Sequence, residues 1–442
     1  MTKMWCNNLF SRCSEIWSRD GIRKYSFNTG WMLGDKIISL TANLIVSIYV
    51  ARYLGPEKFG LFNYAISLVA IFSPLATLGL DGIVVRELVK FPHKHDVLLG
   101  SAFWLKIGGS IVLFSSVTVL VLLNNGPQLD SALVIIIAGS MLLSSFQVYD
   151  FHNQAAVKMR HSAVASVAAN ICQAVLALWL VLSSADLIWF AFLIVLQRGV
   201  QALVWGGYYR QSGGRFFRWR FSFTQAIILL RDSWPLMLSA LTVMVYMKVD
   251  QVMLKWMIAD HAVGEYSVAV KLSEVWYFVP MIISQSLFPA IVNAREVSEV
   301  EYKKRLQRLL NLMSKFSCVV IIATFFLGDF IVLTLFGEKY SGAADILGVH
   351  IFALIFVSFG VVSGNWLLAE NETILSFWRT FVGMIFNVFL NCWFIPMWGG
   401  IGAAWATLIS YAIAGYFFDM CCPRMRWLIK YKTYSLFTLR VN

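Results

Sequence analysis

The chain has 442 residues, of which 59% are hydrophobic and 14% are charged, and its formal net charge is +12. A soluble globular domain is typically about 25% charged, so the composition excludes a body whose whole surface faces water. The seven cysteines are odd in number and none has zinc-site spacing, which argues against a disulfide framework or a zinc site.

Apolar segments long enough to cross a bilayer follow one another along the chain. A membrane-spanning helix needs about 20 predominantly apolar residues. The first such segment starts near Phe27 and is too long for the apolar region of a cleaved signal peptide. The pattern predicts an all-α integral membrane protein with twelve spans, at 28–51, 61–85, 99–123, 131–149, 162–183, 187–207, 233–258, 266–292, 315–336, 345–368, 375–395 and 400–418.

The basic residues between these spans alternate strongly in number. Twenty-seven lysines and arginines fall on the side that holds both termini, and four fall on the other side: Arg52, Lys58, Lys255 and Lys339. Cytoplasmic loops of membrane proteins carry the excess of basic residues. The charge distribution therefore predicts that both termini are cytoplasmic, and it attributes the net charge to topology rather than to nucleic-acid binding.

Two cytoplasmic segments combine basic residues with apolar ones. Segment 299–313 (EVEYKKRLQRLLNLM) predicts an amphipathic helix on the anionic leaflet, with a partner-docking site as the alternative. Segment 208–222 (YYRQSGGRFFRWRFS) mixes arginines with aromatic residues, as some nucleic-acid patches do. Its position between two spans favours an interfacial linker.

A weak internal repeat relates the two halves of the chain. At an offset of 204 residues, segment 54–68 matches segment 258–272, so that Gly60 corresponds to Gly264. Six spans per half is an even number, so both halves enter the membrane in the same orientation. We therefore expect two parallel six-helix lobes with a shared cavity, at 1–210 and 233–442, joined by a cytoplasmic linker at 211–232.

Charged residues inside the spans are the candidate functional residues. Each costs about 2.5–3.5 kcal/mol on insertion scales and usually faces a bundle interior or an aqueous cavity. Cations slightly outnumber acids, which favours an anionic substrate group such as phosphate. The predicted substrate-cavity residues are Lys36, Lys106, Arg198, Lys248, Lys271, Arg86 and Arg379, and the predicted ion-coupling residues are Asp35, Asp250 and Glu274.

Helical spacing gives several of these charges alternative roles. Lys248, Gln251 and Lys255 recur on one helical face, whereas Asp250 lies on another.

Lys271 and Glu274 are three residues apart and could form a buried pair that fixes packing. Arg86 and Arg379 lie near span ends, where a cation can extend to the headgroups. No catalytic motif, metal site or cofactor motif accompanies these charges, so we expect transport rather than enzymatic catalysis.

Three segments resemble one known family. LGPEKFG (54–60) with the following span, VDQVMLKWMIADHAVGEYSVAVKLSE (249–274) and IPMWGGIGAAWAT (395–407) are similar to corresponding parts of polysaccharide-transport proteins, the O-antigen flippases. The resemblance extends over almost the whole chain. It matches Asp81 and Arg86 at the end of the first hairpin, and Asp250 and Tyr266 in the second lobe. The wider superfamily includes multidrug/ion antiporters and lipid II flippases.

The resemblance implies a flippase in the bacterial inner membrane that takes part in lipopolysaccharide or other polysaccharide biosynthesis. Such a protein moves undecaprenyl-pyrophosphate-linked O-antigen repeat units from the cytoplasmic to the periplasmic leaflet by alternating access. The implied partners are the lipid-linked oligosaccharide, membrane lipid, a coupling proton or sodium ion, and a glycan polymerase complex. The alternatives are a multidrug/ion antiporter and a membrane glycan polymerase.

Overall fold

The computed structural model describes residues 20–123, 127–370 and 372–437, and all regular elements in those ranges are helical. Basic residues Lys3, Arg12, Arg19 and Arg440, which contributed to the prediction of cytoplasmic termini, lie outside these ranges. The α-helices are α1 (Asp20–Thr77), α2 (Leu80–Lys90), α3 (His95–Leu123), α4 (Gln128–Leu143), α5 (Val148–Ala155), α6 (Met159–Leu182), α7 (Leu187–Gln211), α8 (Phe223–Met257), α9 (Asp260–Glu274), α10 (Phe278–Val297), α11 (Glu299–Phe336), α12 (Gly342–His350), α13 (Ala353–Ala369), α14 (Thr373–Ala412), α15 (Phe418–Cys421) and α16 (Arg426–Phe437).

Ten helical stretches within the described ranges are long and apolar enough to cross a membrane. Two of them, Gly34–Lys90 with 57 residues and Thr373–Cys421 with 49 residues, are more than twice the length that one crossing requires. Gly55 in the first and Gly399 in the second have non-helical backbone angles, with φ of 72° and 55°. A residue with a side chain rarely adopts such positive φ values, which explains glycine at both kinks.

The kink at Gly399 reverses the direction of the chain. A Cβ built on Gly402 would lie 3.1 Å from the backbone nitrogen of Ile395. In a straight α-helix these residues would be about 10 Å apart along the axis. The two arms of α14 therefore form a tight hairpin, as expected from separate spans at 375–395 and 400–418.

The boundary between the fifth and sixth predicted spans is confirmed. Helix α6 ends at Leu182 and α7 begins at Leu187. Ser184 between them has a φ of 54°, a left-handed conformation that interrupts the helix. The four intervening residues therefore suffice for the turn.

Segment 299–313 is helical, as predicted, but its apolar face packs against the protein and not on the anionic leaflet. This segment is the first part of α11, which starts at a Ser298 cap that accepts a hydrogen bond from Val300 N at 3.2 Å. Its apolar side chains, including Leu306 and Leu310, are fully buried in a cluster with Phe359 of α13 and Leu428 of α16. The amphipathic pattern therefore reflects packing within the protein.

The chain divides into two compact units. Among the described residues, the first comprises residues 20–47 and 73–237, and the second comprises residues 48–72 and 238–437. The hydrophobic core of the first unit contains Leu98, Phe103 and Phe151. The second unit contains the core cluster of Leu306 and Phe359 described above. The segment that joins the first two predicted spans thus belongs to the second unit.

The two repeat segments meet within the second unit. A Cβ on Gly60 would collide with the carbonyl oxygen of Asp260, and a Cβ on Gly264 would collide with the carbonyl oxygen of Pro56. Pro56 and Asp260 are also separated by the repeat offset of 204 residues. The contact is therefore reciprocal, as it is across a two-fold axis.

Candidate functional site

Asp250 on α8 is the centre of a polar cluster in the second unit. Its side chain is 3% exposed. It accepts hydrogen bonds from Tyr266 Oη at 2.6 Å, from Thr407 Oγ1 at 2.6 Å and from Asn391 Nδ2 at 2.5 Å. No lysine, arginine or histidine of the described residues lies within 4.0 Å of the carboxylate. A buried carboxylate is therefore held by neutral donors alone.

The hairpin of α14 assembles one side of this cluster. Asn391 lies eight residues before Gly399 and Thr407 lies eight residues after it. Because the chain reverses at Gly399, both side chains face Asp250. Asn387, one turn before Asn391, accepts a hydrogen bond from Asn391 Nδ2 at 3.2 Å, so it extends the polar surface along the same helical face.

The cluster has unused hydrogen-bonding capacity. Among the described residues, the buried atoms Asn391 Oδ1, Asn387 Nδ2 and Tyr246 Oη have no hydrogen-bond partner. Buried polar groups are nearly always paired in folded proteins. Carboxylate, amide and hydroxyl oxygens together are the ligands that hard cations prefer, so this cluster has the chemistry to take up a proton or a small cation beside Asp250.

A second set of charges in the same unit involves α8 and α9. Lys248 Nζ lies 3.8 Å from Glu274 Oε2, and both side chains are about one quarter exposed. The acid comes from a different helix, so helical spacing on α8 could not reveal this pair. Lys271, also on α9, is partly buried with its ammonium 4.6 Å from the ring centroid of Phe59.

The polar stripe predicted on α8 has its own partners. Gln251 accepts a hydrogen bond from Ser67 Oγ, and Lys255 Nζ lies 2.6 Å from Asp260 Oδ2. Lys248 and Lys255 thus contact the two ends of α9, and Gln251 contacts α1, all within the second unit.

In the first unit, Lys106 is fully buried. Its ammonium donates to Gln147 Oε1 at 2.8 Å, lies 3.4 Å from Asp81 Oδ1 and lies 5.0 Å from the ring centroid of Phe151. Asp81 is half exposed. The ammonium is therefore enclosed by protein in this conformation, while its carboxylate partner reaches the surface of the unit.

A chain of hydrogen bonds starts at Asp35. Ser39 Oγ donates to Asp35 Oδ1 at 3.0 Å, Asn170 Nδ2 donates to Ser39 Oγ at 2.6 Å, and Gln197 Nε2 donates to Asn170 Oδ1 at 2.6 Å. These contacts connect α1, α6 and α7 within the first unit. Lys36, the next residue after Asp35, is exposed.

Arg198 follows Gln197, the last residue of this hydrogen-bonded series, and its side chain is half-buried. Its guanidinium contacts the sulfur of Met141, a weak acceptor. No carboxylate of the described residues lies within 4.0 Å of it. It is therefore a cation whose charge is not neutralised by the part of the protein that the structure describes.

The two arginines near span ends differ in their surroundings. Arg86 is 43% exposed and pairs with Asp232 at 2.5 Å and Glu87 at 3.0 Å. Arg379 is 8% exposed and donates from Nη2 to Gly360 O at 3.1 Å, and its Nη1 has no partner among the described residues. Arg86 therefore joins segments at a surface, whereas Arg379 is embedded in the second unit.

Sequence reasoning missed a fully buried ion pair. Lys432 Nζ on α16 lies 2.5 Å from Asp419 Oδ2 on α15, and both side chains are 0% exposed. Lys432 also donates to Gly415 O at 2.6 Å, where the last span becomes a π-helix at Ile413–Phe417. Burial lowers the pKa of the Lys432 ammonium to about 8, and the Asp419 carboxylate opposes that shift. Nothing in the basic C-terminal segment distinguishes Lys432 from its neighbours, so the sequence alone predicts a cytoplasmic surface charge at this position.

The predicted site residues thus divide between the two units. Lys36, Lys106, Arg198, Arg86 and Asp35 belong to the first unit, and Lys248, Lys271, Arg379, Asp250 and Glu274 belong to the second. Within the second unit, the structure joins Lys248 to Glu274 and surrounds Asp250 with residues of α9 and α14.

Comparisons with known proteins identify relatives over most of the chain. Residues 27–295 match the family described as polysaccharide biosynthesis protein, and residues 235–393 match the MatE family. The probable flippase AglR of Haloferax volcanii is 26% identical over 413 residues, which cover 88% of this chain and 82% of that protein. The lipopolysaccharide biosynthesis protein WzxC of Escherichia coli is 22% identical and covers 87% and 77% of the two chains.

Solved membrane-transporter structures share the fold. The lipid II flippase MurJ in an inward closed conformation has a TM-score of 0.72 at 14% identity, covering 93% of this chain and 90% of that chain. A multidrug resistance MATE transporter in an inward-facing conformation has a TM-score of 0.66 at 14% identity, covering 91% and 96%. At this level of identity the likeness establishes an α-helical, multi-pass membrane transporter fold.

Proposed function

Because the chain belongs to the polysaccharide biosynthesis protein family, we propose that it is a flippase for undecaprenyl-pyrophosphate-linked oligosaccharides such as O-antigen repeat units. The main support is similarity to proteins named as flippases over more than four fifths of this chain. The proposed location is the bacterial inner membrane, and the direction is from the cytoplasmic to the periplasmic leaflet.

The proposed topology has twelve crossings, with both termini in the cytoplasm and lobes at 1–210 and 233–442. Its support is that the two overlong stretches among the ten candidates are interrupted at Gly55 and Gly399. Each interruption leaves two arms, which raises the number of crossings from ten to twelve. The excess of basic residues on one side supports the orientation.

The proposed transport cycle is alternating access with cationic residues in the substrate cavity. A pyrophosphate has several negative oxygens, which arginine and lysine bind through charge-assisted hydrogen bonds. Arg198 is the best-supported contact because no described carboxylate competes for it. Lys36 is exposed and available, whereas Lys106, Lys248 and Arg86 would each exchange an acidic partner for the substrate.

Asp250 is the proposed site of ion coupling, with a proton or sodium ion as the coupling ion. A buried carboxylate without a cationic partner is unfavourable when ionised, so ion binding would stabilise this arrangement. The unpartnered Oδ1 of Asn391 supports a cation at the same place. Asp35 and Glu274 are weaker candidates because Asp35 is less buried and Glu274 already contacts Lys248.

Gene deletion with analysis of surface polysaccharide and lipid-linked intermediates tests this function. We expect loss of the polymer and trapping of repeat units on the cytoplasmic face, with restoration by wild-type protein. Complementation by Asp250→Asn at normal membrane levels should fail if Asp250 couples transport. Repeat units that reach the periplasm but remain unpolymerised would instead point to a polymerase.

A multidrug/ion antiporter is the second candidate, favoured by the MatE match over residues 235–393 and the MATE fold. It predicts normal surface polysaccharide in the deletion strain together with increased sensitivity to cationic drugs. The same strain therefore separates the two functions in one pair of measurements.

A further inference from the structure

A cavity of about 1100 Å³ lies in the first unit, and none of the predicted site residues lines it. One wall is the face of α7 that carries Gly199, Gly206 and Gly207, and the floor includes Tyr149 and Tyr209. The ring centroids of the two tyrosines are 5.2 Å apart. Tyr149 packs against Gly206, but Gly207 is open, since a Cβ there would meet no atom within 4 Å. The glycine face therefore leaves a groove at Gly207 in which a long, flexible chain can lie against the backbone.

The loop after α7 covers one end of this cavity. Gly214 packs flat on the Tyr209 ring, since a Cβ at this position would lie only 2.5 Å from Cε1 of the ring. The Tyr209 hydroxyl accepts a hydrogen bond from Trp219 Nε1 at 2.8 Å, which connects the far side of the loop to the same ring. The position of Arg215 at the rim is thereby determined by packing.

Two arginines line the rim of the cavity. Arg210 and Arg215 are both exposed, and no carboxylate of the described residues lies within 4.0 Å of either one. Beside them, the aromatic side chain of Phe217 is 96% exposed. Exposed cations next to an exposed aromatic ring are typical of the membrane–water interface.

We propose that this cavity binds an anionic phospholipid of the cytoplasmic leaflet. Leu203, which lines the cavity within a predicted span, is 77% exposed, so this side of α7 faces the hydrocarbon and a lipid can enter laterally. The acyl chain occupies the glycine groove, and the phosphate pairs with Arg210 and Arg215. Basic pockets between spanning helices on the cytoplasmic side are suited to such headgroups.

Native mass spectrometry of the purified full-length protein tests the site. Phosphatidylglycerol should bind more tightly than phosphatidylethanolamine, whose net charge is zero. The double variant Arg210→Gln/Arg215→Gln should weaken phosphatidylglycerol binding about 30-fold, since each basic residue near an anionic lipid contributes roughly a fivefold factor. Arg231→Gln, at an exposed arginine outside the cavity, is the matched control and should bind as wild type.

A steric variant tests the groove independently of charge. A Cβ on Gly207 meets no atom within 4 Å, so Gly207→Leu should fold normally, fill the groove and weaken phosphatidylglycerol binding. Gly348→Leu, at an equally open position in α12, should leave binding unchanged. The assay involves no transport, so its failure would leave the proposed flippase function untouched.

Three results would overturn the proposal. The first is unchanged phosphatidylglycerol binding in both the double arginine variant and Gly207→Leu. The second is equal binding of the anionic and zwitterionic lipids. The third is binding at this cavity of a polyprenyl-pyrophosphate-linked glycan in preference to phosphatidylglycerol, which would make the cavity part of the substrate route.

Discussion

The contact between the two repeat segments allows a stringent test of the fold. In Gly60→Ala, the new Cβ would overlap the Asp260 carbonyl oxygen and lie 2.8 Å from Gly264 N, closer than real Cβ atoms approach. Both obstacles are backbone atoms, so no side-chain rotation relieves the collision. The two segments must therefore move apart.

The expected cost follows from overpacking of a rigid contact. Added methyl groups in well-packed regions typically destabilise by 1–3 kcal/mol, and a backbone obstacle places Gly60→Ala near the upper end, at about 3 kcal/mol. For units of about 200 residues, each kcal/mol lowers Tm by about 2–4 °C. We therefore expect Tm to fall by roughly 6–12 °C.

The reciprocal position gives a second, linked expectation. Gly264→Ala should destabilise to a similar degree because its Cβ would overlap the Pro56 carbonyl oxygen. Either substitution separates the same two segments, so the second adds little once the first is present. The double variant should be more stable than the sum of the single effects by about 1–3 kcal/mol, as residues in direct contact commonly are.

Thermal unfolding of the purified protein in detergent measures these effects. Gly348→Ala is the control, because its Cβ meets no atom within 4 Å, and its Tm should equal that of the wild type or exceed it slightly. A wild-type Tm for Gly60→Ala would refute the close contact. Strictly additive effects in the double variant would refute its reciprocity.

Three further predictions concern the buried charges. Lys106→Met should change stability by less than about 1 kcal/mol, because its half-exposed carboxylate partner can remain hydrated; a larger loss in thermal unfolding would contradict this. Lys432→Met strands the fully buried Asp419 and should cost about 3–5 kcal/mol, and adding Asp419→Leu should restore most of it; a double variant no more stable than the single would contradict the pairing. Lys248→Glu should reduce the membrane level of the protein by repelling Glu274, and Glu274→Lys in the same chain should restore it; immunoblots of membranes measure both, and no recovery in the swapped chain would argue against the contact.

The sequence was most informative where the bilayer itself constrains the chain. Apolar runs of about 20 residues must be helical in lipid because only helices and closed barrels satisfy every backbone group there. For this reason the turn between α6 and α7 was placed correctly from four polar or small residues. The family resemblance was also carried by the sequence, since its motifs are local, and the family match confirms it.

Several features depended on partners distant in the chain. Helical spacing on α8 placed Asp250 on a different face from Lys248. Only the hairpin at Gly399, however, brings Asn391 and Thr407 to Asp250. Lys432 and Leu306 looked like surface residues of basic segments, and both are fully buried by helices that no local pattern connects to them.

The sequence by itself thus determined the helical membrane architecture and the family, and it identified the charged residues within the predicted spans but not the buried Asp419. The tertiary structure alone decided which charges are paired, such as Glu274, which are enclosed by protein, such as Lys106, and which stay available, such as Arg198. The physical reason is the range of each interaction. Hydropathy and helical periodicity act within one segment, whereas an ion pair or a buried hydrogen bond is fixed by the packing of segments that can be more than a hundred residues apart, as Asp250 and Thr407 are.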